Sequence, residues 1–133
     1  MGPAETSPIT LSVLGPVRAT RLGAPIDLGG PRQRSVVARL VLAGGHVVST
    51  DRLIDDLWDG EPPPKALATL QVHVSHLRRA LEPGRARRTA ATILVSAAPG
   101  YALALPPEAV DAWRFEALLE QAQATTDPAE RST

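Results

Sequence analysis

The sequence predicts an α+β fold with a small N-terminal antiparallel sheet, three helices and a C-terminal β-hairpin. Two observations carry this. Apolar residues fall in short strand-like runs over 9–28, take helical spacing over 31–82, and return to strand-like runs over 92–105. Glycine and proline stand at each change of period. The chain has 133 residues, 44% of them hydrophobic, which suffices for one domain with its own core.

"ITLSVLG" (9–15) combines β-branched and apolar residues and stops at Gly15-Pro16. "VRATRL" (17–22) follows, then a turn expected at Gly23-Ala24-Pro25, then "IDL" (26–28). Three short strands joined by tight turns make an antiparallel sheet. In "GPRQRSVVARLVLAGG" (30–45), Pro31 suits a first helical turn and Gly44-Gly45 a stop. Val36, Val37, Leu40 and Val41 form its stripe, and Arg32, Arg34 and Arg39 lie off it. "HVVST" (46–50) reads as an extended link whose Ser49 or Thr50 can cap the next helix, "DRLIDDLW" (51–58). "DGEPPP" (59–64) is a loop, because three successive prolines cannot continue a helix.

The stretch "LQVHVSHLRRALEPG" (70–84) begins with strand-like alternation, yet a helix over 65–82 accounts for more of it. Leu67, Leu70, Val74, Leu77 and Leu81 then share one face, and Pro83-Gly84 ends the element. The opposite face collects Lys65, Ala68, Thr69, Val72, Ser75, His76 and Arg79, which leaves Val72 as an apolar residue pointing outward. "RARR" (85–88) is a basic loop. "TILVS" (92–96), the turn "AAPG" (97–100) and "YALAL" (101–105) form the hairpin. After Pro106-Pro107 comes an acidic amphipathic helix over 109–124, with Val110, Trp113, Leu118 and Leu119 on a face for which the remaining sequence offers no partner. The N-terminal "MGPAETSP" (1–8) reads as a loose disordered tail.

Composition removes several function classes. There is no cysteine, hence no disulfide framework, thiolate metal site or thiol nucleophile. No apolar run is long enough to span a membrane, and residues 1–8 lack the features of a signal peptide, so a cytoplasmic location with no membrane partner is expected. Formal net charge is zero, which taken alone weighs against nucleic-acid binding. The distribution weighs the other way. Residues 65–104 carry six basic side chains against Glu82 alone, while 51–64 carry five acids against Arg52. The local field decides where a polyanion docks.

The order sheet, helix, helix, loop, helix, hairpin is that of a winged helix-turn-helix, with the hairpin as wing. A helix that enters a major groove about 12 Å wide needs short or hydrogen-bonding side chains outside. Ala68, Val72, Ser75 and His76 are the candidate base-facing residues, with Val72 suited to a thymine methyl. Arg78 and Arg79 suit phosphates, and phosphate would also account for Arg32 and Arg34 at a helix start, where the helix dipole disfavours cations.

The motifs "LGPV", "LGGPRQRSVVARLVL", "STDRLIDDLWDGEPP" and "TLQVHVSHLRRALEPG", with a hairpin ending "PGYAL", occur in order over residues 9–105. Together they resemble the OmpR/PhoB-type winged-helix DNA-binding domain of the actinobacterial antibiotic-regulatory (SARP-type) transcriptional activators. The resemblance implies domain bounds of 9–105, with 106–133 as linker and first helix of a truncated helical bacterial transcriptional activator domain. It implies base contacts by Val72 and His76, and phosphate or groove-rim contacts by Thr69, His73, Ser75, Arg78 and Arg79. Trp58 matches a position near the DNA backbone, and Gly100-Tyr101 the start of the last wing strand. Lys65, Arg87, Arg88 and Tyr101 complete the candidate phosphate set. The loop 59–65, with Asp59 and Glu61, matches a segment that contacts RNA polymerase.

The implied function is a sequence-specific activator that binds direct-repeat promoter DNA as two or more copies. It would recruit RNA polymerase holoenzyme through its sigma or alpha subunit, at secondary-metabolite or antibiotic genes. The chain departs from the family pattern twice. Ser75-His76 stands where many members have two arginines, and the wing tip Ala97-Ala98-Pro99 has no arginine for a minor groove. No receiver domain is seen before residue 9.

Other readings of the same residues are weaker. Arg78-Arg79 alone would suit a solvated helix C-terminus. His73 and His76 stand at metal-pair spacing but lack a third ligand, so no metal or cofactor is expected. Asp55, Asp56, Asp59 and Glu61 have no nucleophile or base near them in sequence, and the Gly29-Gly30 turn is too short for a phosphate loop, so catalysis is not expected. The rival function is a protein-interaction module that docks a partner through the acidic loop and the exposed face of 109–124.

Overall fold

The computed structural model describes residues 8–86 and 89–125. The expected tail, apart from Pro8, and the candidate phosphate residues Arg87 and Arg88 lie outside the described residues. The N-terminal sheet is an antiparallel meander of β1 (Ile9–Ser12), β2 (Arg18–Arg21) and β3 (Ala24–Ile26). Ile9 pairs with Arg21, and Arg21 with Ala24. The last strand begins two residues before the expected 26–28, because the turn is Leu22-Gly23 and not Gly23-Ala24-Pro25. Both turn residues have positive φ, +51° and +87°, as a two-residue hairpin loop requires. Pro25 then sits in an edge strand, where its missing N–H costs no ladder bond.

Helix α1 (Pro31–Leu42) follows, then α2 (Thr50–Leu57) and α3 (Ala66–Leu81). Ser49 caps α2 by accepting from the Arg52 N–H at 3.1 Å. The C-terminal hairpin pairs β5 (Leu94–Ala97) with β6 (Gly100–Leu103). The expected link 46–50 supplies one further strand, β4 (Val48–Ser49), on the free edge of β6. The wing is therefore a three-stranded sheet in the order β4-β6-β5. Gly100 makes this closure possible: a Cβ there would lie 1.9 Å from the Val48 carbonyl oxygen.

The core lies where the two sheets and three helices meet. Ile9 and Leu11 from β1, Val36, Val37, Leu40 and Val41 from α1, Leu53 from α2, and Leu94 and Leu103 from the wing converge on Leu70, Val74, Leu77 and Leu81 of α3. Each fully buried leucine contributes about 1.5–3 kcal/mol. Leu67, expected on the inner face, is 49% exposed, and Ala66 is buried in its place. Helix α3 has only just begun at these positions, so its first turn takes the small side chain against the core.

The chain beyond the wing also differs from expectation. A 3-10 turn (Pro107–Ala109) leads into α4 (Asp111–Thr125). Ala109, Val110 and Trp113 are buried, and Val110 forms a parallel bridge with Leu11 of β1. The Trp113 indole N–H donates to the Val41 carbonyl at 2.8 Å. Asp111 accepts the backbone N–H groups of Val13 and Leu14 at 2.8 and 3.1 Å. Residues 107–113, expected to be linker and the start of a separate domain, thus share the core of the winged domain. The apolar face thought to lack a partner is split: Val110 and Trp113 are covered, whereas Phe115, Leu118 and Leu119 are about half exposed.

Candidate nucleic-acid interface

Helix α3 separates its side chains by chemistry. Leu70, Val74, Leu77 and Leu81 are at most 2% exposed. Ala68, Val72, Ser75, His76 and Arg79 are exposed together on the other side, and Val72 is 50% exposed. Thr69 and His73 lie half-buried at the boundary, and Lys65 is exposed just before the first turn. The structure therefore exposes the candidate base-facing residues together on one side of α3.

What holds this helix in place was only partly visible in the sequence. Gln33, in the first turn of α1, is buried. Its amide NH2 donates to the Leu28 carbonyl at 3.0 Å. Its Oε1 faces Nδ1 of both histidines, at 3.0 Å from His73 and 3.3 Å from His76. Gly29, at φ +88°, lets the amide lie there, because a Cβ on residue 29 would come within 2.4 Å of the Gln33 nitrogen. Burial lowers the His73 pKa below its ordinary value, and the neighbouring His76 and Arg32 charges lower it further. Sequence reasoning missed Gln33, although a signal existed: it stands in helical phase with Val36, Val37 and Leu40, a polar residue on an apolar stripe.

The other end of α3 is tied to both sheets. Arg78, a candidate phosphate residue, turns toward the wing. Its Nε donates to the Leu94 carbonyl at 2.8 Å, its Nη2 to Ser96 Oγ at 2.7 Å, and its guanidinium lies 5.5 Å from the centre of the Tyr101 ring. Arg78 and Tyr101 thus form one packed unit. Glu82 accepts from the Thr92 hydroxyl and N–H at 2.7 and 2.8 Å and from the Ile93 N–H at 3.1 Å. Burial pushes the Glu82 carboxyl up, but the bonds from Thr92 and Ile93, aided by Arg85, outweigh it and hold the group below the usual glutamate range. From β2, Arg21 donates to the Leu81 carbonyl and, at 3.5 Å, to that of Ala80, closing the exposed C-terminus of the helix. Neither Arg21 nor Glu82 was among the expected site residues.

The remaining candidates divide. Arg32 stacks over Trp58, 5.0 Å from the ring centre, which joins the start of α1 to the end of α2. Arg34 lies instead beside the N-terminal sheet, in a depression it lines with Val17, Thr20 and Pro25. Asp59 and Glu61 are exposed in the loop before α3, where Asp59 at φ +51° and Gly60 at φ +79° end α2. Arg39 is paired with Asp56. Among the described residues no three His, Cys, Asp or Glu are grouped to hold a metal ion, and no helix is long and apolar enough to cross a membrane.

Comparisons with known proteins identify the family of this fold. Residues 23–103 match the family described as "Transcriptional regulatory protein, C terminal". The chain belongs to this family of OmpR/PhoB-type winged-helix domains. Its relatives are regulators of the antibiotic-regulatory type. It is 39% identical to the regulatory protein AfsR of Streptomyces coelicolor over 90% of this chain and 11% of that one. It is 38% identical to the transcriptional regulatory protein EmbR of Mycobacterium tuberculosis over 82% of this chain and 28% of that one. For the transcriptional regulator RedD of Streptomyces coelicolor, identity is 33% over 87% of this chain and 33% of that one.

A solved structure of M. tuberculosis EmbR in complex with a low-affinity phosphopeptide superposes with a TM-score of 0.73 at 37% identity, covering 83% of this chain and 28% of that one. The DNA-binding domain of the response regulator AdeR, solved with an intercistronic region, shares the fold, with a TM-score of 0.55 at 18% identity over 75% of this chain and 97% of that one. The chain thus spans between a tenth and a third of the curated relatives it matches. The family is one of transcriptional regulators and not of enzymes.

Proposed function

We propose that this chain is the sequence-specific DNA-binding part of a transcriptional activator. Helix α3 enters the major groove with Ala68, Val72, Ser75 and His76 toward base edges. Thr69, Arg79, Lys65 and Arg32 lie toward phosphates, with His73, Trp58 and Tyr101 at the rim. Arg34, beside the N-terminal sheet, would meet phosphate only beyond that central footprint. One observation carries the reading: Val72 is half exposed midway along a helix whose Leu70, Val74, Leu77 and Leu81 are buried on the opposite side. In water that exposure gains nothing, whereas against a thymine methyl it is a contact.

Arg78 serves the same surface in two ways, by fixing the wing against α3 and by adding positive potential near the groove. Two or more copies bind direct repeats in promoter DNA. The exposed loop around Asp59 and Glu61 contacts RNA polymerase holoenzyme, through its sigma or alpha subunit. Control of antibiotic or secondary-metabolite genes is consistent with the similarity to AfsR and RedD, and the activator works in the cytoplasm, on the nucleoid.

The test is a gel-shift titration on a promoter fragment carrying two direct repeats, the same fragment with one repeat scrambled, and random DNA. Tight binding to the intact fragment, weaker binding to the single repeat and a weak salt-sensitive background are expected. Equal affinity for all three would remove the claim of sequence specificity.

A further inference from the structure

We infer that Gln33 sets the tautomer of His76, and so makes His76 a reader of amino-bearing bases, adenine or cytosine, on the strand it faces. The inference rests on the DNA-binding reading above and goes one step further, to the chemistry of a single base contact.

The Leu28 oxygen can only accept, so the Gln33 group 3.0 Å from it is the NH2 and not the amide oxygen. The Gln33 oxygen then points at the two imidazoles, 3.0 Å from His73 Nδ1 and 3.3 Å from His76 Nδ1. An amide oxygen only accepts, so both Nδ1 atoms must carry the proton. In the neutral ring, a protonated Nδ1 leaves Nε2 with a lone pair. Nε2 lies across the ring from Nδ1, away from the buried amide, on an exposed residue of the outward face of α3.

The geometry is well fixed. Gln33 is buried, it is anchored at both ends of its amide, and Gly29 leaves the room it occupies. Without this partner an imidazole is free to place its proton on Nε2, which would turn the outward atom from acceptor into donor. In the major groove the donors are adenine N6 and cytosine N4, whereas guanine and thymine present acceptors at the corresponding edge. An acceptor at Nε2 therefore favours adenine or cytosine and disfavours guanine and thymine on that strand. Gln33 touches no DNA in this scheme; it is a positioning residue that acts through His76.

Two measurements on the full chain test this. The first needs no DNA: nitrogen-15 spectra of the histidine side chains of the wild-type protein at mildly alkaline pH. Proton attachment at Nδ1 of His76 is expected, and attachment at Nε2 would overturn the inference whatever the protein binds. The second is selection from randomised duplexes, followed by affinity measurements on the selected site with single-base changes. The wild type should favour adenine or cytosine over guanine or thymine at one position by roughly two- to tenfold, the size of one hydrogen bond. His76→Ala should flatten that position alone. Gln33→Leu should flatten or reverse it and move the His76 proton to Nε2, while the other positions of the selected site keep their preferences. Selection for guanine or thymine, or a preference that neither substitution alters, overturns the inference and leaves the DNA-binding reading intact. Binding to no duplex at all overturns both, and the tautomer spectrum then shows whether the Gln33–His76 bond itself exists. If Gln33→Leu does not fold, the wild-type spectrum and His76→Ala still decide.

Discussion

Arg78 Nε donates to the carbonyl oxygen of Leu94 at 2.8 Å, joining the last turn of α3 to the first strand of the wing hairpin. The same guanidinium reaches Ser96 and stacks on Tyr101, so one side chain holds two elements at a fixed angle. Arg78→Ala removes all three contacts. A loss of about 1–2 kcal/mol is expected, after allowance for the partial exposure of the group. Chemical denaturation measures it. Arg78→Lys should recover little, because a lysine ammonium cannot supply the planar fork. In gel shifts Arg78→Ala should weaken binding to cognate and random DNA alike, since it disturbs the wing and the field and reads no base.

Two groups give stability a predictable acid dependence. His73 has a lowered folded pKa, so its neutral form is favoured by folding. Its contribution is complete above the ordinary histidine value of 6.5 and is lost as pH falls through the lower folded value. Glu82 also has a lowered folded pKa. Its contribution is present above the ordinary glutamate value of 4.5 and is lost as pH falls through the folded value below it. The urea midpoint should therefore drop in two acid stages. Glu82→Gln should lower the midpoint at neutral pH and converge with wild type in strong acid, and His73→Gln should remove the earlier stage. A Glu82→Gln curve parallel to wild type down to strong acid would show that the Thr92 and Ile93 bonds contribute nothing.

The two halves of α4 should respond differently to mutation. Trp113 is 8% exposed and hydrogen-bonded to Val41, so Trp113→Ala should cost about 3–5 kcal/mol. Phe115 is 52% exposed, and Phe115→Ala should change stability by less than about 0.5 kcal/mol. Thermal unfolding of the two variants checks this. A chain ended before Pro107 should lose stability comparable to Trp113→Ala, because the segment it removes is part of the core.

Phosphate contacts should appear in the salt dependence. Each phosphate neutralised contributes roughly 0.9 to the slope of log affinity against log salt. Arg79→Ala should lower that slope by about one and weaken binding uniformly across sequences. Val72→Ala should leave the slope unchanged and reduce the preference for thymine at one position. A slope near zero for the wild type would exclude the electrostatic account.

Much of this architecture was legible in the sequence, because it follows from periodicity. The Leu70–Val74–Leu77–Leu81 spacing specifies the inner face of α3, and the outward position of Val72 follows by geometry. Ser49 as a cap and the prolines at 62–64 bracket the second helix. What could not be read depends on neighbours distant in sequence. Arg78 looks like a free cation until the wing folds back over it, 16 residues on. Val48-Ser49 is too short to read as a strand until β6 lies beside it. The register of β3 depended on whether Leu22 accepts a positive φ, which single-residue preference argues against. Leu67 fits the wheel, but its turn starts before the core does.

The central claim is that the outward face of α3 meets DNA, and its most direct test is amide and side-chain NMR of the labelled chain titrated with a selected duplex. The account predicts the largest perturbations at Ala68, Val72, Ser75, His76 and Arg79, followed by the wing around Tyr101, with Phe115, Leu118 and Leu119 unmoved. Perturbations confined to the Asp59–Glu61 loop and α4, with α3 silent, would contradict it and favour the interaction-module reading.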